Sequence, residues 1–292
     1  MFAVKVPSMA VLNGTAQQPQ LDLHIGRDRA GQSFVRRQYA TYPFRLSRAL
    51  RLDPMDTSRT YLYMMNSSPG LLADDVLELR VRLDDQTSLY LTDQSATKVH
   101  TMPADRVGRL SYNLHIGAGA TLEFVPEPLL LYRDANLEQT VTVTLDPTGR
   151  LFLGEIIVPG RLARGECYQF RHCLSRLQVS TPDGSLVFAD AMQLSGHGDR
   201  VTVHPLFAPL PILASVIIVL PGIDLQPLQQ TLAAFAKTIP KLMLASSRLP
   251  NCNGLLVRAM AENVSTVKLA VHCALNSMRR VSDQPPLPEI PK

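Results

Sequence analysis

Between about residue 20 and residue 205, apolar and polar side chains alternate with a period of two, which confines this stretch to short β-strands with one dry and one wet face. Leu77, Leu79, Val81 and Leu83 alternate with Glu78, Arg80, Arg82 and Asp84. Leu110, Tyr112, Leu114 and Ile116 do the same against Ser111, Asn113 and His115, and TVTVTL (Thr140 to Leu145) repeats the pattern. The segments DRAGQ, GAGA, DPTG, PDGS and GHGD punctuate the strands with residues that accept tight turns. No helical period interrupts them, and no internal repeat of fixed length emerges.

After Pro205 the period changes. Leu225, Leu228, Leu232, Phe235 and Ile239 recur at helical spacing behind Asp224, which reads as the N-cap, with Pro227 accommodated in the first turn and Pro240 ending the helix. KLMLASS and GLLVRAM read as strands, and Val264 to Arg280 as a second helix that buries Val267, Val271, Ala274 and Met278. The expected fold is mainly β: many short strands in packed sheets over residues 1–205, and a smaller α+β portion of the same domain with two helices over 206–282. Residues 283–292, which hold QPPLPEIPK, are expected to be extended or disordered.

The 29 basic and 25 acidic side chains leave a formal charge of +4 and exclude a polyanion-binding tail, so no nucleic-acid partner is expected. Charged residues make up 18%, against roughly 25% in an average soluble domain, and such a surface suits lasting contact with other proteins. Cys167, Cys173, Cys252 and Cys273 are too sparse for a disulfide scaffold and form no C-x-x-C pair, which fits a reducing cytosol. The N-terminal MFAVKVPSMAVLNG lacks a continuous apolar core of the length an export signal needs. A cytoplasmic location follows as the expectation. The uncharged stretch from Pro205 to Ile223 is long enough to suggest a membrane span, but its four prolines would break a helix, so ILASVIIVL reads as a fully buried strand.

Motifs for enzymatic chemistry are missing. There is no G-x-x-x-x-G-K-[ST], no H-E-x-x-H and no G-x-S-x-G, and Leu122 stands where the third glycine of a dinucleotide fingerprint would follow Gly117 and Gly119. Cys167, His172 and Cys173 in CYQFRHC have a metal-like spacing. On a strand, however, the two cysteines would lie about 20 Å apart with the histidine pointing the other way, so they read as ordinary small hydrophobes.

Two acidic residues break the alternation. Glu155 is in phase with Leu151, Leu153 and Ile157, and Asp190 with Leu186, Phe188 and Met192, so both carboxylates should face an apolar interior. A carboxylate there must be paired, hydrogen-bonded, protonated, in contact with a cation or beside internal water. An ion pair with a nearby arginine such as Arg161 or Arg164 is one solution. A wet internal passage lined with hard oxygen ligands for a divalent ion is the other.

Several segments in their order resemble the urease accessory protein UreD (UreH) family: AGQSFVRRQYATYPFRLSRAL, SSPGLLADDVL, LTDQSATKVH, GAGATLEFVPEPLLLYRDA, GEIIVPGRLARGE and LPNCNGLLVR. The family's glycine-rich S-P-G-G-x-x-G-G-D is altered here, with Leu71, Ala73 and Asp74 among the expected glycines and Asp75 at the terminal aspartate. The resemblance implies a β-helix-like arrangement of packed sheets and a non-enzymatic chaperone role. In that role the chain joins UreF and the GTPase UreG as a dimer of heterodimers with UreF, and docks them onto the urease apoprotein for nickel insertion. It further implies an internal tunnel whose acidic and hydroxyl positions fall on Asp75, Thr97, Glu155 and Asp190, with nickel in transit and no tightly bound cofactor. Lys98, Arg161, Gly165 and Glu166 also match family motifs and read as turn and ion-pair residues. A purely structural adaptor without a metal passage is the alternative. A β-helical carbohydrate enzyme is a more distant one, ill served by 6% aromatics and no tryptophan.

Overall fold

A computed structural model describes residues 18–53, 58–197 and 208–290. The N-terminal stretch read above for an export signal, and Pro205 in the uncharged stretch, lie outside the described residues. The fold is mainly β, as the alternation predicts, with two α-helices among the described residues.

Three successive coils form its centre. The first runs through β5 (Val76–Leu83), β6 (Ser88–Asp93) and β7 (Thr97–Val99), the second through β8 (Gly108–Ile116), β9 (Thr121–Val125) and β10 (Leu129–Leu131), and the third through β11 (Asn136–Leu145) and β12 (Arg150–Val158). Each coil stacks parallel on the last. Leu79 pairs with Tyr112, Tyr112 with Val141, and Val141 with Leu177 in β13 (His172–Ser180). The steps between these stacked residues differ in length, which is why a β-helical arrangement left no fixed repeat to read.

Hairpin strands close both ends. β1 (Leu21–Arg27), β2 (Ser33–Ala40) and β14 (Leu186–Ser195) complete a seven-stranded sheet in the order β14-β13-β11-β8-β5-β1-β2. The opposing ten-stranded sheet gains β3 (Phe44–Leu46), β4 (Arg59–Asn66), β15 (Ile212–Val219), β16 (Leu242–Arg248) and β17 (Gly254–Ala261). It runs β16-β17-β15-β12-β9-β6-β4-β3, with β7 and β10 attached at its side. ILASVIIVL is thus an internal strand, buried except at Leu213 and Ser215, which are half-buried on the face toward the other sheet. No helix among the described residues is long and apolar enough to cross a membrane.

The period of two divides the apolar residues between two cores. Leu79, Val81, Leu122, Phe124, Leu151 and Leu153 fill the space between the sheets. The other face of the ten-stranded sheet, carrying Phe152, Ile156, Val216 and Val257, packs beneath α1 (Gln226–Thr238) and α2 (Val264–Val281). Val267, Val271, Ala274 and Met278 are buried on α2 as their spacing predicts. Asn263 caps that helix, accepting the Thr266 N–H at 2.9 Å. The expected cap of α1 is displaced by one residue: Leu225 holds the N-cap position without a side-chain bond, while Asp224 accepts the Gln226 N–H at 3.0 Å. The proline-rich tail has no regular structure through Ile290, yet Leu287 and Ile290 pack on the helical core and the Leu287 N–H donates to Asn276 at 2.7 Å.

A buried charge network joins the end of α2 to the sheet. The Arg279 guanidinium forks onto Glu123 of β9 at 2.9 and 2.6 Å, and Arg59 lies 3.4 Å from Asp53 and 3.5 Å from Glu123. The Tyr61 hydroxyl donates to Asp53 at 2.6 Å, and its pKa is pushed up to about 12 by burial and that bond. Both arginines and both carboxylates are at most 3% exposed. Two charges of each sign offset the desolvation that a single buried ion would suffer.

Candidate functional site

The site begins with a gap in a ladder. β12 pairs with β9 through residues 150–153 and next meets β10 at Ile157, leaving residues 154–156 unpaired on that side. Opposite them runs Val125-Pro126-Glu127-Pro128, whose two prolines have no N–H to donate. There a cavity of about 60 Å³ opens between the sheets, lined by residues that include Thr97, Glu127, Gly154, Glu155, Asp190 and Ser215. A water needs roughly 10–15 Å³ of such space, so several fit.

Glu155 enters the cavity from β12 and is held by the opposite sheet. It accepts hydrogen bonds from Ser175 Oγ of β13 at 2.7 Å and from Gln139 Nε2 of β11 at 2.5 Å. Glu155 is half-buried and is one of the residues that line the cavity. Burial pushes its pKa up; the Ser175 hydroxyl, Arg258 and Gln139 pull it back, and Asp190 adds to the rise. The same negative charge raises its neighbours: Tyr112 is pushed up by burial, Asp93 and Glu155, and Cys173 by burial and Glu155.

Asp190 pairs across the sheets with Arg258 of β17, Nη2 to Oδ2, at 2.6 Å. Arg258 Nη1 also donates to Ser215 Oγ at 2.5 Å and lies 3.6 Å from Met192 Sδ. The two side chains are 36% and 31% exposed, so the pair is wet at its outer edge. Arg161 and Arg164, the arginines expected to pair with the off-phase carboxylates, do not reach them. Arg161 Nε binds Glu166 at 2.5 Å, and Arg164 and Gly165 shape the turn between them.

Thr97, Glu155 and Asp190 therefore surround one cavity, whereas Asp75 does not. Its carboxylate accepts the Leu72 N–H at 2.8 Å and closes a surface turn whose cleft includes Asp74, Val76 and Leu77. A void of about 10 Å³ lies between, sharing Leu77 with that cleft and Asp93, Thr97 and Tyr112 with the cavity. In the turn Asp74 adopts φ +64°, the left-handed conformation that a glycine would take there and that aspartate tolerates.

Sequence reasoning missed Asp93, Glu127, Gln139, Ser175 and Arg258. The signal for the gap was present as V-P-E-P, a strand end that cannot keep its ladder. Nothing local marked Arg258. Cys167, read above as a strand residue, precedes β13, and Cys173 is buried in it. No group of three or more His, Cys, Asp or Glu side chains that could hold a metal gathers among the described residues.

Comparison with known proteins gives a family and several relatives. The family model described as UreD urease accessory protein matches residues 17–292. Urease accessory protein UreD of Trichodesmium erythraeum is 44% identical over 93% of this chain and 98% of its own length. The UreD of Haloarcula marismortui is 30% identical over 95% and 91%, and UreD 1 of Pseudomonas syringae pv. tomato 29% over 86% and 88%.

Proposed function

The chain belongs to the UreD urease accessory protein family and so has its role in urease maturation; on that premise we propose that it is the scaffold that joins UreF and UreG, docks them onto apo-urease, and passes nickel through the space between its sheets. The observation that carries this reading is the cavity where Thr97, Glu155 and Asp190 meet, roomy enough for a hydrated path. Oxygen donors from few side chains hold a divalent cation weakly, which suits an ion that must leave again. Such donors do not distinguish nickel from copper, so metal identity is set by a partner that hands the ion over, with GTP hydrolysis by UreG driving the sequence. In this reading the chain works in the cytoplasm as a dimer of heterodimers with UreF.

A passage-free adaptor is favoured by one specific observation: Arg258 neutralises Asp190, and Ser175 and Gln139 satisfy Glu155. Glu155→Ala and Asp190→Ala, each co-expressed with the urease operon, separate the two. The passage predicts that urease nickel content, measured by mass spectrometry, falls at least several-fold while UreF and UreG still co-purify. Full nickel content in both variants rejects the passage and leaves the adaptor.

A further inference from the structure

We propose that Arg258 gates this cavity: its guanidinium is the resident cation on Asp190, and a divalent metal ion reaches that carboxylate only when Arg258 swings away. The inference rests on the passage reading and adds its control element.

Position is the first argument. Arg258 stands opposite Ser215 on neighbouring strands of the ten-stranded sheet, and Asp190 stands on the edge strand of the other, so their contact spans the gap between sheets. The guanidinium touches three wall residues of the cavity, Asp190, Met192 and Ser215. Charge is the second. The guanidinium cation lies against the carboxylate, so Asp190 is neutralised at rest and a second cation is repelled.

Mobility is the third argument, and a comparison within the molecule decides it. Arg279 on Glu123 is sealed at 0% exposure on both sides, and breaking it would strand two charges in a dry core. Arg258 on Asp190 is about one-third exposed, so solvent screens the attraction and receives the freed arginine. A weak, wet pair can yield to an arriving ion, whereas a dry one cannot.

The test uses the full chain and Ni²⁺ alone, with affinity read by equilibrium dialysis. Arg258→Gln keeps a hydrogen-bond donor but removes the charge, and should bind Ni²⁺ at least about tenfold tighter than the parent. Arg258→Lys, with the charge kept, should stay within about twofold, and Arg258→Gln with Asp190→Asn should lose the gain. If Arg258→Gln loses its β circular dichroism, Arg258→Met, which packs on Met192, replaces it. Equal affinity for the folded neutral variant and the parent overturns the gate. Tighter binding with normal urease loading in the Glu155 and Asp190 alanine variants upholds the gate and rejects the route. Lost loading with unchanged affinity rejects the gate alone.

Discussion

The Ser175 hydroxyl of β13 donates to the Glu155 carboxylate of β12 at 2.7 Å, so an acid rooted in one sheet is held by a side chain of the other. This contact crosses the space that an ordinary two-sheet core would fill with hydrocarbon. It places a titratable group where pH acts directly on the packing of the sheets.

Burial raises the Glu155 pKa above the ordinary 4.5, against the pull of Ser175, Arg258 and Gln139, with Asp190, Tyr112 and Cys173 as the other titratable neighbours. A raised folded value means that folding favours the protonated acid. Its contribution to stability is complete below the unfolded pKa and is lost as pH rises through the folded value. Glu155→Gln, neutral at all pH, should therefore melt above the parent at pH 8 and approach it at pH 4 by calorimetry. A difference independent of pH would assign the titration elsewhere.

Arg279→Met should be among the most destabilising substitutions, by about 3–5 kcal/mol, because Glu123 keeps its charge in a dry site. Adding Glu123→Gln should restore most of the loss. Urea unfolding of both variants reads this directly, and additive effects in the pair would show that the two residues do not depend on one another.

Gly70 and Asp74 share a loop and should respond unequally. Gly70 has φ +146°, and a Cβ there would lie 2.3 Å from the Lys98 carbonyl oxygen that accepts the Leu71 N–H. Gly70→Ala should lose at least about 2 kcal/mol. Asp74→Gly should stay within about 1 kcal/mol, since its φ of +64° suits glycine and its pair with Arg106 is exposed. Thermal denaturation of the two variants makes the comparison.

The four cysteines are free. Cys173 is 1% exposed, and burial with the Glu155 charge raises its pKa far above that of an ordinary thiol, so little reactive thiolate forms. Iodoacetamide should label Cys167, Cys252 and Cys273 while Cys173 stays at least about 100-fold slower until urea unfolds the chain. Peptide mass spectrometry gives the order, and early labelling of Cys173 would mean that the sheets open there in the native state.

Much of the fold could be read from local pattern. The period of two assigned inward faces correctly along β5 and β8, and helical spacing marked the buried side of α2. It also sent Glu155 toward the interior without any knowledge of what it would meet. The cap of α1 falls one residue later than its sequence suggests because Asp224 accepts the Gln226 N–H in an Asx-type bond that imitates a cap just before the helix.

What the sequence determined alone is therefore strand, turn, helix and inward face, because backbone sterics and side-chain periodicity act over a few residues. Its segment order also carried the family. Which groups meet was decided by tertiary structure. Asp190 and Arg258 stand 68 positions apart and Glu123 and Arg279 156 apart, and their contact depends on how the coils stack and how α2 lies on the sheet. Register between distant strands is fixed by the packing of both cores together, and no local window of sequence contains that sum.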